Sequence, residues 1–185
     1  YMTVINLIKK NDLVTGVVLV DRESEKEYQI SAKVVINATG AFTDQIRLMD
    51  DETSQPMIQP SQGVHIVLDR SYLPGNSAIM VPHTEDGRVL FAIPWHNRVI
   101  VGTTDTPVDN VLVEPVPQNR ELDFLLSHAA RYLTKDPTRK EMKSIFAGIR
   151  PLVGNPDSGN TATLSRDHVL SISRCGLITI TGGKW

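Results

Sequence analysis

The sequence has one cysteine, few aromatic residues and no long apolar run. A single Cys among 185 residues excludes a disulfide framework and a zinc site built from cysteines. No uninterrupted apolar segment approaches the roughly 20 residues of a membrane-spanning helix. Charges nearly balance, with 19 Lys and Arg against 21 Asp and Glu, which excludes a basic nucleic-acid-binding protein. What remains is a globular chain, long enough to bury roughly 70% of its unfolded surface.

The order of elements along the chain is strands, one long helix and further strands, which is typical of the α+β class. Three strands with short polar connections come first and predict an antiparallel meander. They cover Thr3–Lys9, Val14–Asp21 and Glu27–Asn37. A short helix is predicted around Phe42–Met49, and two prolines indicate a boundary between Asp50 and Ser61.

A mainly antiparallel sheet is predicted beyond that boundary, because sequential strands follow one another with short links. Its strands cover Gly63–Leu68, Ala78–Val81, Arg88–Ile93 and Arg98–Thr104. One amphipathic helix is predicted over Gln118–Leu133, with leucines at helical spacing. The last strands cover Lys143–Ile149, His168–Ser173 and Leu177–Thr181. A strand followed by a Gly-Gly loop at the end leads us to expect a piece of a larger protein.

Two arginines at strand ends are candidate anion ligands. Alternation in the strand before Pro151 places Phe146, Gly148 and Arg150 on one face, where Gly148 leaves open space. The planar fork of Arg150 suits a phosphate or a carboxylate. Arg166 precedes the next strand and could grip the same anion. Surface pairing of Arg150 with an acidic neighbour, and of Arg166 with Asp167, are the alternatives.

A glycine-rich loop and a candidate base are also present. Gly182 and Gly183 allow close approach of a flat ring, and Lys184 adds a positive charge there; a tight turn is the alternative. His65 is the lone polar residue in an apolar strand, suited to general-base work or to a structural role. The other histidines lack the spacing of metal ligands, so no metal site is predicted.

The segment Gly102–Asp105 ends another strand with two hydroxyls and a carboxylate. These groups could bind a ligand or form a local turn before Pro107. No G-x-G-x-x-G follows any strand, so the dinucleotide-binding fingerprint is missing from this chain.

Six motifs in order resemble the FAD-dependent glycerol-3-phosphate dehydrogenases, across nearly the whole chain. They are Val35–Gly40, Pro60–His65, Gly102–Asp105, Ala147–Pro151, Ser165–Asp167 and Gly182–Lys184. The resemblance implies oxidation of sn-glycerol 3-phosphate to dihydroxyacetone phosphate, with hydride passing to FAD and electrons to quinone. It implies that residues 1–55 are a meander remnant of the FAD-binding domain. Residues 56–181 would then be the substrate-binding domain, and 182–185 the start of a flavin-contacting loop.

The resemblance also implies roles for single residues. Arg150 and Arg166 would bind the substrate phosphate, and Lys184 would lie between the substrate and the flavin, contacting the substrate and stabilising reduced flavin. His65 would take the proton of the C2 hydroxyl, making His65, Arg150 and Lys184 the catalytic set. The FAD would be lined by Ala38, Thr39, Gly40, Gly182, Gly183 and Lys184.

Several expectations accompany this resemblance. This chain alone is expected to be inactive and without FAD. A cytoplasmic location is implied, with peripheral association with the inner membrane as an alternative, and no nucleic acid as partner. At Gln59 and Gln62 many relatives carry a basic residue. An electrostatic role at these two positions is therefore open, as is the choice between oxidase and dehydrogenase activity. Another flavin oxidoreductase acting on amino acids or 2-hydroxy acids, and a binding module without catalysis, are the alternative functions.

Overall fold

The chain forms two compact units in a computed structural model that describes residues 1–82, 84, 87–154 and 167–183. One unit combines Tyr1–Gln59 with Pro151–Trp185, and the other is Pro60–Arg150. The predicted domain boundaries lie after residues 55 and 181, whereas these compact units divide after Gln59 and Arg150. The reason is that strands near the C-terminus pair with a strand near residue 36.

The first unit contains the predicted antiparallel meander. Its strands are β1 (Met2–Lys10), β2 (Leu13–Asp21) and β3 (Glu27–Ser31), paired in the order β1-β2-β3. Asn11 and Asp12 both have positive φ, which suits a two-residue hairpin between strands with right-handed twist. The meander therefore forms as its short polar connections predict.

The third predicted strand is wrong in extent, because it is two elements in two different sheets. β3 ends at Ser31, and the chain re-forms a strand only at β4 (Ile36–Asn37). A second sheet has the order β11-β12-β4, with β11 (His168–Ile172) and β12 (Ile178–Gly182). β4 runs parallel to β12, so the chain passes from the first sheet to the second between Ser31 and Ile36, with a bend at Lys33.

A small core lies under these sheets. The helix α1 (Thr43–Asp50) covers the predicted Phe42–Met49 and places Ile46 in that core. Its buried partners are Leu7, Val14 and Leu177. Residues from both ends of the sequence thus contribute to one apolar cluster.

The second unit is built on a six-stranded sheet with the order β10-β5-β8-β7-β6, with β9 paired to β5. Its strands are β5 (Ile58–Asp69), β6 (Ile79–Val81), β7 (Leu90–Trp95), β8 (Arg98–Gly102), β9 (Thr106–Pro107) and β10 (Ser144–Val153). The pairs β5–β8, β7–β8 and β6–β7 are antiparallel, as predicted. The fold is α+β, mainly antiparallel, which confirms the predicted class.

Two strands of this sheet are longer than predicted, because each includes a proline that the prediction left outside it. β5 begins at Ile58 and passes through Pro60, so the predicted linker ends before residue 58. β10 continues through Pro151 to Val153 rather than ending at Ile149. β10 stands at the end of the strand order, and an edge strand tolerates a residue that cannot donate a backbone hydrogen bond.

The amphipathic helix α2 (Asn119–Ala129) is shorter than the predicted Gln118–Leu133. Leu122, Leu125 and Ala129 are buried against the sheet, where Val64, Ile66, Leu68, Val99 and Val101 form the centre of the core. A reciprocal capping box between Gln118 and Glu121 begins the helix. Among the described residues, no helix is long and apolar enough to cross a membrane.

Replacement of Leu125 by Ala is expected to lower the free energy of unfolding by about 2–5 kcal/mol, because it leaves a cavity in a closed core. Leu125 is 0% exposed, whereas Leu112 is 54% exposed and provides the matched control. Leu112→Ala is expected to change the free energy of unfolding by less than about 0.5 kcal/mol. Denaturant unfolding of both variants measures this, and equal losses would contradict the assigned core.

Candidate functional site

The guanidinium of Arg150 is held by the segment that follows β8. Its Nη2 donates to the hydroxyl of Thr103 at 2.7 Å, and its Nη1 donates to the carbonyl oxygen of Thr104 at 3.1 Å. A carboxylate oxygen of Asp105 lies 3.8 Å from Nη1. The Arg150 side chain is still 32% exposed, so a solute anion can reach a guanidinium whose direction is already fixed.

Two glycines give Arg150 and His65 the room they occupy. A Cβ on Gly63 would lie 2.6 Å from Cζ of Arg150, and a Cβ on Gly102 would lie 2.7 Å from Cγ of His65. Any larger residue at either position would therefore displace one of these side chains. Sequence reasoning used Gly148 but missed these two roles, because the register that brings the glycines to their neighbours is not visible in a single strand.

Open space lies on the face of β10 that carries Arg150. No atom of the described residues outside its own neighbours lies within 4 Å of a Cβ built on Gly148. Phe146, two residues before Gly148, stacks on His65 with ring centroids 4.9 Å apart and planes 8° apart. This confirms the space predicted beside Gly148. It also adds Phe146, which sequence reasoning named only as a residue on the same face.

His65 lies on β5 opposite Gly102, half-buried beneath its stacking partner. Burial lowers the pKa of His65 below the ordinary 6.5, and the positive charge of Arg150 lowers it further. The ring is therefore neutral at neutral pH. A neutral imidazole can accept a proton from a hydroxyl group, which is what a general base requires.

The segment Gly102–Asp105 does more than form a turn. Thr103 and Thr104 contact Arg150, and the Ser61 hydroxyl donates to the Asp105 carboxylate. The sequence analysis left ligand binding and a local turn open for this segment. The structure adds a third role, orienting an arginine of another strand.

Gln62 is buried and hydrogen-bonded within the protein. Its Nε2 donates to the carbonyl oxygen of Val116 at 3.1 Å and to the carboxylate of Glu121 at 2.7 Å. Glu121, itself 2% exposed, is a residue that sequence reasoning missed. The capping-box pattern could have revealed its position at the start of α2, but not its contact with β5.

The predicted cofactor-lining residues of the first unit follow two parallel strands. Ala38, Thr39 and Gly40 follow β4, while Gly182 ends β12 and Gly183 follows it. Because β4 and β12 are parallel, both segments leave the sheet at the carboxyl ends of these strands.

Hydrogen bonds connect these two segments. Thr43 Oγ1 donates to the Gly40 carbonyl oxygen at 2.7 Å and lies 3.2 Å from Thr181 Oγ1. Asn37 accepts from the Thr39 hydroxyl at 2.7 Å. No atom of the described residues outside its own neighbours is within 4 Å of a Cβ built on Gly40, so its backbone is open to a ligand. Gly40 and Gly183 have φ of 59° and 87°, which favours glycine there. These small residues fit a flavin cofactor.

Arg166 and Lys184 lie outside the residues that the structure describes, so their assigned roles stay predictions. A cavity of about 690 Å³ in the first unit is lined by none of the predicted site residues. Its polar lining includes Lys9, whose Nζ lies 2.9 Å from a carboxylate oxygen of Asp50. The Arg150 and His65 site is instead an open face of the sheet.

The pKa of His65 provides a direct test of this arrangement. The pKa is expected to lie below 6.5, so that more than half of the imidazole is still neutral at pH 6.5. Arg150→Gln is expected to raise this pKa because it removes a positive charge, while burial still keeps it below 6.5. NMR titration of the imidazole measures both. Arg98→Gln, an exposed arginine on β8, is the control, and an equal shift in that variant would contradict the assigned contact.

The sequence model of the family described as FAD dependent oxidoreductase matches residues 1–185. The mitochondrial glycerol-3-phosphate dehydrogenase of Homo sapiens is 46% identical over 193 residues, covering 100% of this chain and 26% of that protein. The Schizosaccharomyces pombe enzyme of the same name is 42% identical over 204 residues, covering 100% of this chain and 31% of that protein. The chain therefore spans less than a third of these relatives.

Solved structures agree with this assignment. The X-ray structure of glycerol-3-phosphate dehydrogenase from Bacillus halodurans complexed with FAD has a TM-score of 0.84 and 34% identity. It is matched over 100% of this chain and 35% of that one. Glycine oxidase from Bacillus cereus, at 18% identity and a TM-score of 0.60 over 98% of this chain and 44% of that one, shares the fold. The chain belongs to the family of FAD dependent oxidoreductases.

Proposed function

We propose that this chain is part of a flavoprotein that oxidises sn-glycerol 3-phosphate to dihydroxyacetone phosphate. The observation that carries the proposal is the guanidinium of Arg150, fixed by Thr103 and Thr104 beside a neutral His65. Oxidation of a phosphorylated alcohol requires one group that binds the phosphate and one that accepts the hydroxyl proton, and a single sheet carries a candidate for each. The names of the relatives at 46% and 42% identity support this substrate.

Arg150 binds the substrate phosphate in this proposal. Its fork can donate two parallel hydrogen bonds to phosphate oxygens, which adds direction to the charge attraction. Asp105 lies near Nη1 and keeps the guanidinium from turning away. A carboxylate could bind in the same way, so an amino acid or 2-hydroxy acid is the competing substrate class, and glycine oxidase shares the fold.

His65 takes the proton of the C2 hydroxyl. Its neutral ring has a free lone pair at neutral pH, because burial and Arg150 both disfavour the imidazolium. Phe146 covers one face of the ring and limits its rotation. The bound FAD supplies the oxidising power by accepting the hydride from C2.

The FAD is held in this proposal by Ala38, Thr39, Gly40, Gly182 and Gly183. Their support is the parallel pairing of β4 with β12 and the open backbone at Gly40. Arg166 is proposed as a further phosphate ligand, and Lys184 as a substrate-binding cation that stabilises reduced flavin.

Quinone is the proposed electron acceptor. The proposed location of the protein is cytoplasmic, with peripheral association with the inner membrane. Reoxidation of the substrate-reduced flavin by a soluble quinone and by oxygen, followed in the same preparation, compares the two acceptors. Faster reoxidation by oxygen would indicate an oxidase and would contradict this part of the proposal.

Arg150→Ala in the full-length flavoprotein tests the phosphate-binding role. Loss of a charge-assisted contact costs about 1.5–3 kcal/mol, so KM for glycerol 3-phosphate is expected to rise about 10- to 150-fold. Arg98→Ala is the control, because Arg98 is exposed and pairs with Asp69. An unchanged KM in Arg150→Ala would contradict the role. Bleaching of the flavin by an amino acid but not by glycerol 3-phosphate would favour the competing substrate class.

A further inference from the structure

The carboxylate of Glu121 is buried in the second unit and accepts three hydrogen bonds. Oε2 accepts from the backbone N–H of Gln118 at 2.8 Å and from Nε2 of Gln62 at 2.7 Å. Oε1 accepts from the hydroxyl of Thr104 at 2.9 Å. The two oxygens therefore have separate partners: one caps α2 and holds β5, and the other holds the segment after β8.

Thr104 connects this carboxylate to Arg150. It is 0% exposed, and its hydroxyl donates to Glu121 while it accepts from the N–H of Val64 at 2.9 Å. Its own carbonyl oxygen accepts from Nη1 of Arg150. The backbone N–H of Thr104 also donates to the carbonyl oxygen of Val64 at 3.4 Å. Both the side chain and the backbone of Thr104 are therefore held next to the carbonyl that accepts from Arg150.

We propose that Glu121 is a positioning residue for Arg150, acting through Thr104. Glu121 fixes the hydroxyl of Thr104, the carbonyl of Thr104 fixes the guanidinium, and the guanidinium meets the substrate already oriented. The inference rests on the proposed function, since it assigns to Arg150 the binding of the substrate phosphate. It goes beyond that function by placing a determinant of substrate affinity in the first turn of α2, whose Glu121 contacts Thr104 and not Arg150 itself.

A purely structural role for Glu121 would have a different signature. The helix cap depends on Oε2, whereas the path to Arg150 depends on Oε1 and the Thr104 hydroxyl. Thr104→Val removes that hydroxyl at nearly constant volume and leaves the cap untouched. Thr104→Ser keeps the hydroxyl and serves as its matched control.

The experiment uses the full-length flavoprotein and measures KM for glycerol 3-phosphate, kcat and bound flavin. Thr104→Val and Glu121→Gln are each expected to raise KM about tenfold, the size of a coupling between contacting groups, with kcat and flavin content nearly unchanged. Thr104→Ser and the exposed Glu114→Gln are expected to leave KM as in the parent protein.

Combination with Arg150→Ala decides between positioning and general destabilisation. If Glu121 acts through Arg150, Thr104→Val has no further effect on KM once Arg150 is Ala. The inference would be overturned if Thr104→Val raised KM by the same factor in the Arg150→Ala background. It would also be overturned if kcat fell by as large a factor as KM rose. If Glu121→Gln loses its flavin, the Thr104 pair of variants decides alone. If KM rises in Arg150→Ala but is unchanged in Thr104→Val, this inference is contradicted while the proposed function is still supported.

Discussion

An arginine recognises the shape of an anion only when the direction of its guanidinium is fixed beforehand. The candidate site in the second unit depends on this constraint. An arginine side chain in water samples many rotamers, and ordering it costs about 2 kcal/mol. Here Thr103 and Thr104 order the guanidinium of Arg150 within the folded chain. A ligand therefore does not have to order this side chain when it binds, and its affinity is not reduced by that entropy cost.

The remaining side chains of the site follow from this requirement. Gly63 leaves room for the guanidinium, and Gly102 leaves room for the imidazole of His65. The cation in turn helps to keep the pKa of His65 low, so one residue has two electrostatic effects on the site. A carboxylate oxygen of Asp105 lies 3.8 Å from Nη1 of Arg150, so the cation has an acidic neighbour within the folded chain.

Sequence reasoning predicted the α+β class, the meander and the amphipathic helix, because each depends on local periodicity. It joined β3 to β4, because both segments are strands and periodicity does not show that they pair in different sheets. It found Arg150 and the space at Gly148 from one strand, but missed Gly63 and Gly102, whose roles depend on pairing across strands. Glu121 was invisible for the same reason, as its partners lie on β5 and after β8.

The parallel pairing of β4 with β12 has a consequence for the order of synthesis. Ile36 leaves the ribosome early, yet its partner Ile178 is made only near the end of this chain. Every strand of the Pro60–Arg150 unit is available before then, and its antiparallel pairs β6–β7 and β7–β8 close short loops. The middle of the polypeptide can therefore acquire its core during translation, while the first unit must wait for residues 178–182 to complete its second sheet.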